Sequence, residues 1–471
     1  MQKIKKQYGV WTGIAMVIGI VIGSGVFIKA GGVLEKSGGD LKLSLLAWFI
    51  GGLIMITSGF CFAVFATKVT KFNGVVDYVE AATNSKVGYF IAWTMTTLYY
   101  PIITAVVALF AGHYFFRMFG LNYFYGDWQV ILFAFVIITL SVVLNYLSPK
   151  LAALFQVSAT AIKLVPIAII VIVGLFAGII VGPEFGIVNA FTTSAESATF
   201  NFGAAVTTTA FAYEGWVCAT SINAELKDSK KNLPKALVFG TIAILLFYIL
   251  YYISLSSTLG NQGVIDAGAK APIAVFEKIF GGFGGVLFAL FITISCIGTV
   301  NGLVISSCRG MYTLSCRGQG ICPKKFSKLS INGSTSFWSC VYGYACSIAP
   351  LILWSLIFNV EWFGDKFGTL DELVCAIIYA VYITMYIYIM RKFTDVGVFK
   401  RFIMPIFAII GSLFFTLCGT GLFTLITTGD ATGVINFLYF IVLFAIFVGP
   451  SIFFYRKDAK PIATASEDVT E

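Results

Sequence analysis

Charge is what this sequence has least of. Only 11% of its 471 residues are Asp, Glu, Lys or Arg, whereas about 25% is usual in a soluble chain. A single histidine, His113, stands in the whole sequence. With no cluster of metal-ligand spacing, an enzyme built on metal or histidine chemistry is disfavoured, and neither a metal nor a cofactor is expected. Ten cysteines are present, yet Cys61, Cys218, Cys296, Cys375 and Cys418 fall inside apolar stretches. There a thiol behaves as a small hydrophobe and builds no disulfide framework. The net charge of +9 forms no aromatic-basic surface, so nucleic acid is not the expected partner.

What the sequence does have is apolar residues, 59% of the total, gathered in long blocks. About 20 such residues cross the ~30 Å of a bilayer's hydrocarbon, and about twelve blocks meet that length. They lie near 9–34, 43–67, 88–118, 128–147, 151–181, 199–223, 236–259, 283–315, 338–358, 369–390, 404–427 and 434–455. The chain therefore reads as an all-α polytopic protein whose surroundings are lipid. Residues 1–8 precede one membrane domain over 9–455, and a short polar tail follows over 456–471. Lys3, Lys5 and Lys6 resemble the start of a signal peptide, but the run behind them is too long and lacks a cleavage site. Lys and Arg collect in alternate connections, as Lys227, Lys230, Lys231 and Lys235 do, which predicts both termini on the cytoplasmic side.

Two spans differ from the rest. The first carries Ile22-Gly23-Ser24-Gly25-Val26 at mid-depth, and the sixth carries Phe211-Ala212-Tyr213-Glu214-Gly215-Trp216. They are corresponding members of two five-helix halves, 9–181 and 199–390, with 404–455 outside the repeat. Interrupted helices at matching positions point to a transporter's binding site. Unwinding at Gly23 to Gly25 frees N–H groups at a positive helix end, which suits a carboxylate. Close packing through small residues is the plainer reading of the same segment. In the sixth span, carbonyls at Phe211, Ala212 and Glu214 suit an ammonium group, and Phe211 can cover the site, although an aromatic there is more often packing. Glu214 is costly at mid-membrane unless wet or paired. Lys163, deep in the fifth span, costs about 2.5–3.5 kcal/mol on insertion scales and needs a partner. It lies ~18 Å from the nearer end at 1.5 Å per residue, too far to snorkel comfortably. Such an ammonium can stand in for a bound cation by bridging freed carbonyls of one helix to its neighbours.

These residues carry a resemblance. Val17-Ile18-Gly19 with Ile22 to Phe27, Asn201-Phe202-Gly203-Ala204-Ala205 leading into Phe211 to Trp216, Glu225-Leu226-Lys227, Asn232-Leu233-Pro234 and Asn301-Gly302 resemble the amino acid–polyamine–organocation superfamily. Within it the chain is similar to the L-type amino acid transporter family and its bacterial exchangers of small neutral amino acids. The resemblance implies the leucine-transporter fold, two inverted five-helix repeats plus two extra helices, with alternating access at the cell membrane. It implies a substrate carboxylate at Ile22, Gly23, Ser24, Gly25 and Val26, an amine held by Phe211, Ala212, Tyr213 and Glu214, and Phe211 as gate. It places Lys163 where sodium-coupled relatives bind a structural ion, implying sodium independence. Animal members pair with a heavy chain through a cysteine between the third and fourth spans. Residues 118–128 contain none, so no disulfide-linked heavy chain is expected. Relatives carry Asp, Gly or a small residue in place of Glu214; the longer acid either narrows the pocket or attracts a cationic substrate. Proton-coupled uptake and cationic amino-acid or polyamine exchange are the alternatives to neutral exchange. A seven-helix receptor is disfavoured by the span count and a channel by the lack of a selectivity element.

Overall fold

The computed structural model describes residues 9–23, 25–69, 74–196, 200–330, 336–359, 370–420, 422, 426, 431–460 and 462. Their backbone is helical nearly throughout, and the β-contact among them is an isolated bridge between Ser37 and Phe200. The first span is split into α1 (Val10–Val21) and α2 (Gly25–Lys36), bent by 50°. Next come α3 (Leu41–Lys68), the short α4 (Val75–Ala82), α5 (Ser85–Arg117), α6 (Trp128–Leu147) and α7 (Pro149–Leu175). The sixth span is α8 (Phe202–Ala212) followed by a 3₁₀ stretch, Trp216–Glu225. The remainder is α9 (Ser229–Ala267), α10 (Ala271–Phe280), α11 (Gly282–Cys316), α12 (Phe337–Asn359), α13 (Leu370–Lys392), α14 (Met404–Gly419) and α15 (Ala431–Val448).

Local chemistry sets several of the starts. The Asp40 carboxylate accepts the Lys42 N–H ahead of α3 at 2.6 Å. The Asn84 and Asn201 side chains accept N–H groups of α5 and α8, each at 3.0 Å. Each satisfies a donor that the first helical turn leaves open. Among the described residues, eight helices are long and apolar enough to cross a membrane, or nine with the bent α1–α2 pair. The other three expected spans fall on α8 with its 3₁₀ continuation, on α12 and on α15. The seventh span is longer than expected: α9 runs through 229–267 with a kink at Gly260.

Burial ranks the helices. In the most apolar stretch of α5, 89% is buried, against 28% in α6 and in α14. The outward faces of those two helices present Leu132, Phe135, Leu140 and Val143, and Ile406, Phe407, Ile410 and Leu413. In water such faces would drive association; hydrocarbon is their natural solvent. The centre is made by α5 packed along α11, α9 along α3 and α1, and α2 against α8.

Beyond the end of α11, Arg317 ion-pairs with Asp77 and, at 2.9 Å, with Glu80, both on α4. The Asp77 side chain is only 2% exposed. Losing the cation takes its opposing charge away from a buried carboxylate, which costs on the order of 3 kcal/mol. Arg317→Ala is thus expected to lower the melting midpoint in detergent, and adding Asp77→Asn to restore part of it. Equal midpoints for Arg317→Ala and wild type would show that the pair does not anchor α4.

Candidate substrate site between the two helix breaks

The first break is a tight turn. Ile22 N–H makes the last bond of α1, to the Ile18 carbonyl at 2.9 Å, and Gly23 N–H turns back to the Val21 carbonyl at 2.7 Å. Ile22 has φ −71° and ψ 83°, close to an inverse γ-turn. The carbonyls of Gly19 and Ile20 are left past the last helical donor. Ser24 lies outside the described residues. Beyond it α2 opens at Gly25, with first-turn N–H groups that have no partner inside the helix. A Cβ on Gly25 would come within 2.6 Å of the Ala212 Cα, so a side chain there would force α2 and α8 apart.

The second break comes later than the sequence indicates. Helix α8 continues through Ala212, and the chain reverses at Gly215, whose φ of 104° is left-handed and costs little only for glycine. The Phe211 carbonyl accepts the Glu214 N–H at 3.2 Å. The main chain expected to be unwound at Phe211 and Ala212 is therefore helical, and the irregular residues are Tyr213 to Gly215.

Three side chains from other helices answer the breaks. Lys163 on α7 is fully buried; its ammonium donates to the Gly19 carbonyl at 2.6 Å and to the Thr299 hydroxyl on α11 at 3.2 Å. The Tyr248 hydroxyl on α9 lies 2.8 Å from the Ala212 carbonyl and 3.2 Å from that of Val21, so one phenol touches both breaks. The Tyr99 hydroxyl on α5 donates to Glu214 Oε1. Glu214 Oε2 is buried with no hydrogen-bond partner among the described residues. Tyr99 ends a π-turn, Met95–Tyr99, in which Tyr100 N–H reaches back to the Met95 carbonyl. Pro101, having no N–H, cannot continue the α-pattern there.

Gly23, Gly25, Phe211, Glu214 and Thr299 share one cavity, walled further by Ile103, Val107 and Leu303. Its volume is about 20 Å³, room for about one ordered water. Anything of amino-acid size enters only if the half-helices part. Phe211 is nearly buried, and the Lys29 ammonium stands 5.5 Å from its ring centroid, within cation–π range. Ile22, Val26 and Ala212 are buried behind the cavity rather than lining it, and the Tyr213 side chain points elsewhere, its hydroxyl donating to the Trp48 carbonyl at 2.9 Å. His113 lies apart, its Nδ1 2.7 Å from the Tyr123 carbonyl. Tyr99, Tyr248 and Thr299 escaped the sequence reading. Pro101 inside an apolar span was a usable signal for Tyr99; nothing distinguishes Tyr248 or Thr299 from other spanning tyrosines and threonines.

The amino acid permease family profile matches residues 8–447. This chain belongs to the amino acid permease family. It is 30% identical over 420 residues to the serine/threonine exchanger SteT of Bacillus subtilis, covering 87% of this chain and 90% of that one. The human cystine/glutamate transporter is 26% identical over 321 residues, 67% of this chain and 62% of that one. The human large neutral amino acids transporter small subunit 2 is 28% identical over 308 residues, 65% and 57% respectively. The solved structure of Mhp1, a nucleobase-cation-symport-1 family transporter, in a closed conformation with bromovinylhydantoin bound, matches with a TM-score of 0.56 and 13% identity. That match spans 93% of this chain and 98% of the other, and the shared architecture is the leucine-transporter fold. The permease is thus a multi-pass membrane carrier of amino acids, not an enzyme.

In this permease the Tyr248 hydroxyl is the group common to both breaks. A neutral hydrogen bond contributes about 0.5–1.5 kcal/mol net, enough to shift the balance of transport states by up to about tenfold. Tyr248→Phe is expected to fold normally and to slow amino-acid turnover by a few-fold to tenfold. Wild-type turnover in reconstituted Tyr248→Phe would rule out this coupling of the breaks.

Proposed function

We propose that this permease exchanges small neutral L-amino acids such as serine, threonine or alanine, independently of sodium, by alternating access at the cell membrane. The observation that carries the reading is the Lys163 ammonium on the Gly19 carbonyl and the Thr299 hydroxyl. Two uncharged hard oxygens of this kind are what an alkali or alkaline-earth cation would take as ligands. An ammonium held there supplies the charge that a bound cation would otherwise bring. Similarity to the serine/threonine exchanger along most of both chains supports the substrate class. In this reading the substrate carboxylate meets main-chain N–H groups of the Ile22, Gly23, Ser24, Gly25 and Val26 stretch. The amine lies beside Phe211, Ala212, Tyr213 and Glu214. Phe211 acts as the lid, the repeats 9–181 and 199–390 move against one another, both termini are cytoplasmic, and no disulfide-linked heavy chain takes part.

Counterflow in proteoliposomes tests the reading directly. Internal serine should accelerate uptake of labelled serine, threonine and alanine, and replacing NaCl with choline chloride should change nothing. Uptake driven by an imposed pH gradient without internal substrate would instead establish symport, and a strict sodium requirement would end the ion-substitute role. Phe211→Ala should fold yet exchange far more slowly, since the closed state loses its cover; normal rates would remove Phe211 as the gate.

A charge-assisted hydrogen bond is worth about 1.5–3 kcal/mol, or ten- to a hundredfold in state populations. Lys163→Ala is therefore expected to bind amino acid but to exchange about ten- to a hundredfold more slowly, with altered sidedness. Near-normal exchange from both faces would refute the tether.

A further inference from the structure

We propose that the connection between α11 and α12 carries a site for the headgroup of an anionic phospholipid, held by the ammonium groups of Lys325 and Lys328. The site lies apart from the two helix breaks and goes beyond the transport reading.

A cavity of about 380 Å³ opens beside the start of α12, against about 20 Å³ between the breaks. Its size is within the range of about 300–1,000 Å³ usual for small-ligand clefts. Lys325, Lys328 and Ser330 make its polar side, and Leu329, Phe337 and Trp338 its apolar side. The Lys325 ammonium stands 3.4 Å from the centroid of the Trp338 ring, a cation–π contact that holds the charge against the apolar wall. The Ser330 hydroxyl donates to that of Tyr146 at 3.1 Å, and the Phe337 ring meets the Tyr146 ring edge-on with centroids 5.6 Å apart. Tyr146 belongs to the last turn of α6, so the cavity is fastened to a second spanning helix.

Charge decides what the cavity takes. Two other cations at the ends of spans have acidic partners: Arg317 pairs with Asp77 and Glu80, and Lys68 with Asp395. Lys324, Lys325 and Lys328 are exposed and form no ion pair among the described residues. The sequence carries no Asp or Glu between Glu277 and Glu361 to supply one locally. Ammonium groups so placed suit phosphate oxygens, which accept charge-assisted hydrogen bonds.

The surroundings make that phosphate a lipid's. Leu329, Phe337 and Trp338 are between 39% and 47% exposed. Near them α12 presents Val341, and α6 presents Val143 and Leu147, on outward faces. A free phosphate gains nothing from such a wall, whereas the glycerol and acyl chains of a phospholipid bury it. Tryptophan at the end of a span sits at headgroup depth, and basic pockets between spanning helices on the cytoplasmic side take acidic headgroups.

The test is native mass spectrometry of the intact protein in detergent, titrated with dioleoyl-phosphatidylglycerol or dioleoyl-phosphatidylcholine. Glycerophosphoglycerol and inorganic phosphate serve as soluble competitors. Each lysine near an anionic lipid is worth about fivefold in affinity, so wild type should bind phosphatidylglycerol about twenty- to thirtyfold more tightly than phosphatidylcholine. Lys325→Gln/Lys328→Gln should abolish most of that preference. Lys230→Gln/Lys231→Gln removes the same charge from two exposed lysines of another connection and should keep it. Neither soluble competitor should displace the lipid at equal concentration.

Equal affinity of wild type for the two lipids overturns the proposal. So does an unchanged preference in Lys325→Gln/Lys328→Gln. An equal loss in Lys230→Gln/Lys231→Gln overturns it too, since the attraction would then belong to the whole positive face. Displacement by either soluble competitor at equal concentration would make this a site for free anions and end the lipid assignment. Should the double variant not be monodisperse, Lys328→Gln decides, because the Lys328 ammonium has no ion pair among the described residues to lose. An undiminished preference for phosphatidylglycerol in that variant overturns the site. The readout is binding alone, so it stands or falls independently of what the permease carries.

Discussion

A peptide group in hydrocarbon must find its hydrogen bond inside the protein, because no water is there to supply one. An unbroken helix meets this demand by itself; a broken one does not. This permease interrupts two spanning helices, at Ile22 and at Tyr213 to Gly215, and much of its polar interior answers what those interruptions release. Lys163 takes the Gly19 carbonyl, and Tyr248 reaches the Val21 and Ala212 carbonyls. Around them the packing is apolar and dense, with Trp48, Tyr251 and Trp216 fully buried.

The donors come from helices other than the broken ones, and this gives the site its mechanical character. Lys163 joins α1 to α7 and α11, Tyr248 joins α1 and α8 to α9, and Tyr99 joins the Glu214 segment to α5. A half-helix cannot tilt without stretching one of these bonds or exchanging its partner. Alternating access can then be a choice between discrete sets of bonds, as expected of packed interiors that switch rather than deform continuously. The close approach of Gly25 to Ala212 adds a steric condition, because a side chain there would hold the two half-helices apart.

The same economy of polar groups extends to Glu214. In a soluble enzyme a stray carboxylate oxygen is readily hydrated. At the Glu214 position one oxygen is tied to Tyr99 and the other lies beside a cavity with room for about one water.

Much of this was legible in the sequence. The hydropathy blocks mark the spans, because each block reports its own transfer from water to lipid. The glycines at Gly23 and Gly25 and the acid at Glu214 mark the odd helices, because both are unfavourable in an ordinary span. Lys163 announced that it needed a partner for the same reason. Which partner it has, the Gly19 carbonyl and the Thr299 hydroxyl, was decided by the fold. So were the roles of Tyr99 and Tyr248, the continuation of α8 to Ala212 and the turning of the Tyr213 side chain toward Trp48. The physical reason is range. Insertion cost and helix propensity belong to one segment and are written in its residues. Hydrogen bonds such as Tyr248 to Val21, which link residues 227 positions apart, exist only once separate helices have packed.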